Sequence, residues 1–95
     1  MTIFIPENPT SPMHFCVIIP TYNNRKTLAR VIDSVLEQTQ HIIIVNDGST
    51  DDTQEILKSY INLTQIHFPE NAGKGMALRK GFEKAILILW AYRNI

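Results

Sequence analysis

Three short polar segments of this chain carry the residues best suited to chemistry. Residues 20–24 read PTYNN, residues 46–49 read NDGS and residues 70–75 read ENAGKG. Each follows a short apolar run and offers polar side chains or unhindered glycine backbone that can bind a polar ligand. If the three segments meet in the folded chain, they form a crevice for such a ligand.

Asp47 and Tyr22 have the most specific binding chemistry of these segments. The Asp47 carboxylate can accept hydrogen bonds from ribose hydroxyl groups or from the imide N–H of a pyrimidine base. It can equally serve as a turn residue that caps the next helix. The Tyr22 ring can stack on a base, or it can lie half-buried beneath its own loop. Spacing alone leaves both alternatives open for each residue.

The tripeptide Gly73-Lys74-Gly75 precedes a predicted helix. Unhindered backbone N–H groups at a helix N-terminus bind phosphate, and the Lys74 ammonium adds positive charge. The same tripeptide is also common in plain turns. It lacks the third glycine of GxGxxG and the spacing of a P-loop, so neither a dinucleotide-binding fold nor an NTPase is supported.

Metal ligands and nucleophilic groups are not predicted in this chain. Asp51, Asp52 and Glu55 fall in the first turn of a predicted helix, where the helix macrodipole favours negative charge. The histidines lie at the ends of predicted strands without metal-ligand spacing, and there is no cysteine pair for zinc. We therefore assign no catalytic residue and no metal ligand here.

Charge and composition exclude several classes of function. Nine Lys and Arg balance nine Asp and Glu, so the chain has no net charge to attract nucleic acid or anionic lipid. Its 44% hydrophobic and 19% charged residues are typical of a globular protein. The single cysteine, Cys16, and the lack of a signal peptide favour the cytoplasm. No apolar stretch approaches the roughly 20 residues of a membrane-spanning helix.

The apolar pattern predicts three strands and three helices in alternation. Two continuous apolar runs, at residues 14–20 and 41–46, indicate strands covered on both faces, as parallel strands are, and the short run at residues 65–68 indicates a third strand. Apolar residues three and four positions apart indicate helices. The strands are expected at residues 14–20, 41–46 and 65–68, and the helices at residues 26–38, 50–62 and from 76 onward.

Polar residues before the first two helices are predicted to cap them. Asn23 or Asn24 is placed to cap the first helix. Ser49 and Asp52, three positions apart, resemble a capping box on the second helix, with Asp in place of the usual Glu or Gln.

The alternation predicts an open three-layer α/β/α sheet, mainly parallel, with right-handed crossovers. Residues 14–95 form this domain, and the proline-rich residues 1–13 are expected to be an irregular leader on the surface. Because the carboxyl ends of parallel strands share one edge of the sheet, the three polar segments are brought together. From Ile86 to Tyr92 the last helix is apolar on all sides, which indicates self-association or docking through that stretch.

Three blocks of the sequence resemble the opening half of the family 2 glycosyltransferases. They are VIIPTYNN at residues 17–24, IIIVNDGSTDDT at residues 42–53 and NAGKGMALRKGF at residues 71–82. They follow the order and spacing of the family across residues 15–85. The NxGKG form of the third block is most similar to the branch that acts on polyprenyl-phosphate acceptors.

The resemblance implies a GT-A type fold, a nucleoside-diphosphate sugar donor, a divalent metal (Mg or Mn) and a polyprenyl-phosphate or glycan acceptor. The nucleotide-sugar-binding residues that it implies are Pro20, Thr21, Tyr22, Asp47, Gly73, Lys74 and Gly75. The first three would line the nucleoside site, and Asp47 would read the base. Lys74 and the glycine backbone would approach the base or the diphosphate.

Parts of the family pattern do not occur in this sequence. The metal-binding DxD motif, the later segment with a general base and the acceptor half are all missing. We therefore expect an incomplete, N-terminal nucleotide-binding part of a glycosyltransferase that is inactive alone. The alternative is a catalytically inactive fragment that acts, if at all, as a dimerising or partner-docking module.

Overall fold

The computed structural model describes residues 3–6 and 15–93. The described residues form four strands and three helices, with a 3₁₀ turn at Lys58–Tyr60 after the second helix. The elements are β1 (Ile3–Pro6), β2 (Phe15–Thr21), α1 (Leu28–Leu36), β3 (Ile42–Asp47), α2 (Thr53–Leu57), β4 (Thr64–Phe68) and α3 (Lys74–Arg93).

The four strands form one sheet in the order β1-β2-β3-β4. Strands β2, β3 and β4 are parallel, whereas β1 pairs antiparallel with β2. Both crossovers between the parallel strands step in the same direction, so right-handed connections place α1 and α2 on one face of the sheet. Helix α3 packs on β2 and β3 from the other face. The predicted three-layer, mainly parallel α/β/α sheet is confirmed.

The core consists of two apolar layers, one on each face of the sheet. Alternate residues of β2 and β3 point to opposite faces, so these strands are buried on both sides, as their continuous apolar runs predict. The layer beneath α1 and α2 contains Val17, Ile19, Leu28, Ile32, Ile42, Ile44 and Leu57. The layer beneath α3 contains Cys16, Ile18, Ile43, Val45, Ala77 and Ala85.

Helix α3 approaches the sheet closely because its inner face carries small residues. Ala77, Gly81 and Ala85 are spaced four apart and buried, so they lie on one face of the helix. A Cβ atom at Gly81 would lie 2.5 Å from Cγ2 of Ile18 and 3.2 Å from Cγ2 of Val45. The small residues therefore set the distance between α3 and the sheet.

The prediction that residues 1–13 have no regular structure is wrong for Ile3–Pro6, which form strand β1. The short apolar segment IFIP pairs with the edge of β2, with Pro6 opposite Phe15 at one end. An edge strand tolerates proline because one side of it makes no ladder hydrogen bonds. The other residues of the predicted leader, and His14 of the first predicted strand, lie outside the described residues.

Both predicted helix caps differ from the structure. Thr27 is the N-cap of α1, and Asn24 accepts a hydrogen bond from the Thr27 hydroxyl group instead of capping the helix. Asp52 is the N-cap of α2 but makes no side-chain cap bond. The Ser49 hydroxyl accepts the backbone N–H of Asn23 across the two loops. Asn24 is thus taken up by a bond within its own loop, and Ser49 by a contact between loops that are distant in sequence.

The outer face of the second half of α3 is apolar and exposed. Ile86, Leu87 and Trp90 are 48%, 63% and 66% exposed. The side chains of Leu89 and Tyr92, which belong to the stretch predicted to self-associate, lie outside the described residues. Across residues 3–6 and 15–93, no helix has the length and apolar character needed to cross a bilayer.

Candidate nucleotide-sugar site

An open cavity of about 390 Å³ lies at the carboxyl ends of β2 and β3, next to the start of α3. This volume is within the range of small-molecule sites, about 300–1,000 Å³. The cavity is lined by Pro20, Thr21, Tyr22, Asp47, Asn71, Gly73, Lys74 and Ala77. Six of the seven residues predicted to bind a nucleotide sugar are therefore brought together, and only Gly75 is not part of the lining. Their role in binding stays a prediction.

The end of β2 contributes a buried hydroxyl group and an exposed aromatic ring. Thr21 is 4% exposed, and its Oγ1 atom has no hydrogen-bond partner among the described residues. A buried polar group without a partner costs about 1–3 kcal/mol, so a polar ligand atom that bonds this hydroxyl group would recover that cost. Tyr22 is 49% exposed at the cavity. Its ring therefore has a free surface for stacking.

Asp47 is the last residue of β3 and is 3% exposed. Its Oδ1 atom accepts the backbone N–H of Ala72 at 2.7 Å, and its Oδ2 atom accepts that of Gly73 at 3.0 Å. The Asn71 side-chain amide donates to Oδ2 at 3.3 Å and to the Asp47 carbonyl oxygen at 3.2 Å. The carboxylate thus joins β3 to the loop before α3, and it does not cap α2.

The loop before α3 packs directly on the turn after β3. Gly48 has φ +70°, and a Cβ atom there would lie 2.3 Å from the backbone of both Glu70 and Asn71. Gly73 also has a left-handed backbone, with φ +97°. The first hydrogen bond of α3 runs from Ala77 N–H to the Gly73 carbonyl at 3.1 Å. The N–H groups of residues 74–76 therefore have no acceptor within the helix.

A chain of side-chain hydrogen bonds from β4 holds the turn after β3. The Gln65 amide nitrogen donates to two carbonyl groups of the α2 region, at 2.9 and 3.0 Å, which leaves its Oε1 atom to accept from His67 Nε2 at 2.9 Å. His67 Nδ1 then accepts from the Asn46 amide at 3.1 Å. Asn46 Oδ1 accepts the Ser49 backbone N–H at 3.2 Å. His67 thus supports the turn that contains Asp47.

The acidic residues that precede and begin α2 hold loops together. Asp51 accepts the backbone N–H groups of Thr53 at 2.9 Å and Arg25 at 3.4 Å. A hydrogen bond from the Thr53 side chain is the largest cause that lowers the pKa of Asp51 below 3.8, and the two backbone N–H groups add to it. Asp52 pairs with the Arg25 guanidinium at 3.4 Å. Within residues 3–6 and 15–93, no three His, Cys, Asp or Glu side chains are placed to hold a metal ion.

Two residues matter more in the structure than the sequence indicates. Asn71 lines the cavity and bonds Asp47; its place in the NxGKG block is a signal for it, although no role was assigned there. Asn23 makes side-chain hydrogen bonds to the loop after β3. The sequence indicates this role of Asn23 less clearly, because asparagine tolerates a left-handed backbone in many turns.

Comparison with known proteins finds a family and several relatives that this chain resembles in sequence. The family model described as Glycosyl transferase family 2 matches residues 16–86. An uncharacterized glycosyltransferase of Rickettsia typhi is 41% identical over 80 residues, which cover 81% of this chain and 25% of the relative. A dolichyl-phosphate beta-glucosyltransferase of Trichomonas vaginalis is 34% identical over 95 residues, covering 84% of this chain and 28% of the relative. No solved structure matches the chain at a significant level.

A third relative, a dolichyl-phosphate beta-glucosyltransferase of Dictyostelium discoideum, is 30% identical over 92 residues, covering 79% of this chain and 28% of the relative. The chain thus spans about a quarter of the length of these relatives. The resemblance drawn from the three sequence blocks is confirmed, and the chain belongs to glycosyl transferase family 2, whose fold is of the GT-A type.

Proposed function

We propose that this chain, as a member of glycosyl transferase family 2, forms the donor-binding part of an enzyme that transfers sugar from a nucleoside-diphosphate sugar. The cavity at the ends of β2 and β3 carries the proposal. It combines an exposed aromatic ring at Tyr22, an ammonium group at Lys74 and the buried hydroxyl group of Thr21, which has no hydrogen-bond partner in the described part of the chain. These three groups suit a base, a phosphate and a polar ligand atom respectively.

In this proposal the base lies beside Tyr22 and Asp47. A carboxylate has about four acceptor positions, and the N–H groups of Ala72, Gly73 and the Asn71 amide use three of those of Asp47. The remaining position can accept an N–H group of a base. Asp47 then reads the base while it holds the loop before α3, and it does not act as the helix cap also considered from the sequence.

The diphosphate is proposed to lie at the start of α3. The Gly73 N–H already donates to Asp47, so Gly73 contributes its left-handed turn. The Lys74 side chain and the N–H groups of Lys74 and Gly75 supply the positive end of the helix.

The acceptor is proposed to be polyprenyl phosphate or a glycan, because two of the similar proteins are dolichyl-phosphate beta-glucosyltransferases. A divalent metal is proposed for the whole enzyme, but we assign no metal to the residues described here.

We further propose that the chain by itself does not complete sugar transfer, because it spans only about a quarter of the length of its relatives. The buried Cys16 is in keeping with a cytoplasmic location.

Titration of the purified chain with UDP and with GDP tests donor binding. Lys74→Ala is expected to weaken binding of the preferred nucleotide by roughly ten- to hundredfold, since one charge-assisted contact contributes about 1.5–3 kcal/mol where it is desolvated. Lys84→Ala, also an exposed lysine of α3, is the matched control and is expected to leave the affinity unchanged. If wild type binds neither nucleotide, or if both lysine variants bind like wild type, the proposed site is wrong.

The exposed outer face of α3 favours a second candidate function, which is docking. Ile86, Leu87 and Trp90 expose apolar surface on the side of the helix away from the sheet. We propose that this stretch mediates self-association. Light scattering is expected to show a dimer that Leu87→Lys disrupts, while Ile61→Lys, at an 80% exposed apolar position elsewhere, preserves it. A wild-type monomer at high concentration would remove this candidate.

A further inference from the structure

Asn23 has an unusual backbone conformation and a dense set of hydrogen bonds. Its φ is +48°, and it is the one non-glycine residue with positive φ among the described residues. Its Oδ1 atom accepts the backbone N–H groups of Thr50 at 2.7 Å and Asp51 at 3.2 Å. Its own N–H donates to Ser49 Oγ at 2.9 Å, and its side-chain amide donates to Thr50 Oγ1 at 3.4 Å. All four bonds join the loop after β2 to the loop after β3.

The two residues that follow extend this connection. The Asn24 N–H donates to Oγ1 of the fully buried Thr53 at 3.1 Å. The Arg25 N–H donates to Asp51 at 3.4 Å. The exposed ion pair of Arg25 with Asp52 adds little stability, so the hydrogen bonds of Asn23, Asn24 and the Arg25 backbone form the link between the loops.

Tyr22 lies between two fixed points. On one side Thr21 pairs with Asn46 in the sheet, and on the other side Asn23 is held on the neighbouring loop. The left-handed turn at Asn23 directs its side chain toward the start of α2, while the Tyr22 ring remains at the cavity. A ring that is held in place before a ligand arrives loses less conformational entropy on binding.

We infer that Asn23 is a positioning residue for the nucleotide site, which acts through Tyr22 and does not touch the ligand itself. This inference rests on the proposed function, because it takes the stacking partner of Tyr22 to be the base of the donor. The side-chain bonds and the left-handed turn of Asn23 hold the ring at the cavity.

Three substitutions separate the hydrogen bonds of Asn23 from its backbone conformation. Asn23→Gly permits the left-handed turn but removes the side-chain bonds. Asn23→Asp retains an oxygen for the N–H groups of Thr50 and Asp51. Ser49→Ala removes only the bond from the Asn23 N–H and disturbs the fold less. It therefore tests the inference even if Asn23→Gly does not fold. Asn62→Gly, at an exposed asparagine in the turn before β4, is the matched control.

Affinity for UDP and for GDP is the first measurement. Ordering one flexible side chain costs about 0.5–1.5 kcal/mol, which corresponds to roughly a two- to tenfold change in Kd. Asn23→Gly is expected to weaken binding of the preferred nucleotide by that factor, Ser49→Ala by less, and Asn23→Asp to restore it. Equal affinity of Asn23→Gly and wild type, measured where both are folded, would overturn the inference.

The nuclear magnetic resonance spectrum of the Tyr22 ring is the second measurement and needs no ligand. Asn23→Gly is expected to move the ring signals toward those of a mobile tyrosine and to speed hydrogen exchange at the Thr50 and Asp51 amides. Asn23→Asp and Asn62→Gly are expected to keep the wild-type ring signals. If wild type binds no nucleotide, the proposed function fails, and unchanged Tyr22 signals in Asn23→Gly would separately overturn the positioning role.

Discussion

The Oδ1 atom of Asp47 lies 2.7 Å from the backbone nitrogen of Ala72, so the end of β3 holds the loop that precedes α3. The second carboxylate oxygen bonds Gly73 in the same way at 3.0 Å. A negative charge beside the first turn of a helix is also favoured by the helix macrodipole. One side chain therefore sets the position of the loop that leads into Lys74 at the start of α3, and it also forms part of the cavity wall.

Asp47→Asn is expected to destabilise the fold and to displace this loop. An amide has one acceptor oxygen, so its NH₂ group would face one of the two N–H groups that the carboxylate now accepts. A buried donor left without an acceptor costs about 1–3 kcal/mol. Urea denaturation measures this cost. Asp52→Asn, at an exposed residue in an ion pair with Arg25, is the control and should change stability by less than about 0.5 kcal/mol. Equal effects of the two variants would contradict the role of Asp47.

Gly48→Ala is expected to be among the most harmful single substitutions in the chain. Its Cβ atom would lie 2.3 Å from the backbone of Glu70 and Asn71, at a φ of +70° that side chains rarely adopt. Strain and overpacking each cost about 1–3 kcal/mol, so a combined loss of about 2–6 kcal/mol is expected. Gly73→Ala separates the two causes, because φ there is +97° but nothing lies within 4 Å. If thermal melting shows equal losses of stability for the two variants, the close approach of the Gly48 backbone to Glu70 and Asn71 does not contribute to the cost of Gly48→Ala.

Gly81→Ala is expected to destabilise the protein even though alanine favours helix. The added Cβ atom would lie 2.5 Å from Ile18 and 3.2 Å from Val45, which forces α3 away from the sheet at a cost of about 1–3 kcal/mol. Gly75→Ala, in the first turn of the same helix, meets nothing within 4 Å. It should therefore be neutral or stabilise by up to about 1 kcal/mol. Denaturation midpoints that shift in the same direction for both variants would rule out close packing at Gly81.

Asp51 is expected to make stability depend on pH in the acidic range. Hydrogen bonds from Thr53 and Arg25 lower the pKa of Asp51 below 3.8 in the folded chain. A carboxyl group with a lowered pKa contributes stability above its ordinary value, and that contribution is lost as the pH falls through the lowered pKa. A carboxyl-carbon titration is expected to give a midpoint below 3.8. Asp51→Asn should weaken the fall in stability over the same range. A midpoint at or above 3.8 would contradict this account.

Strands β2 and β3, and their burial on both faces, were predictable because they depend on local composition. The runs around Val17 and Ile44 are apolar at every position, which is typical of parallel strands beneath helices on both faces. The parallel arrangement then brings Tyr22, Asp47 and Lys74 to one cavity, because strand carboxyl ends share an edge. Strand β1 was not predicted, since its pairing with β2 is a distant contact and proline weighs against a strand.

The hydrogen-bond partners of the polar loop residues could not be predicted in the same way. Ser49 and Asp52 have the spacing of a capping box, yet the Ser49 hydroxyl accepts the backbone N–H of Asn23. The Asp47 carboxylate likewise bonds N–H groups more than twenty positions away. Sequence spacing describes only neighbours along the chain, whereas short polar side chains bond whichever donor the fold places within reach.

The amino-acid sequence by itself determined the class of fold, the family and the segments that meet at the cavity, because these follow from apolar periodicity and from motifs that are contiguous in the chain. Only the tertiary structure decided that Asp47 holds the loop before α3, that Asn23 joins two loops and that the Thr21 hydroxyl group has no partner among the described residues. Hydrogen bonds form over about 3 Å. Which groups come that close depends on how the helices and strands pack, and packing is a property of the whole folded chain.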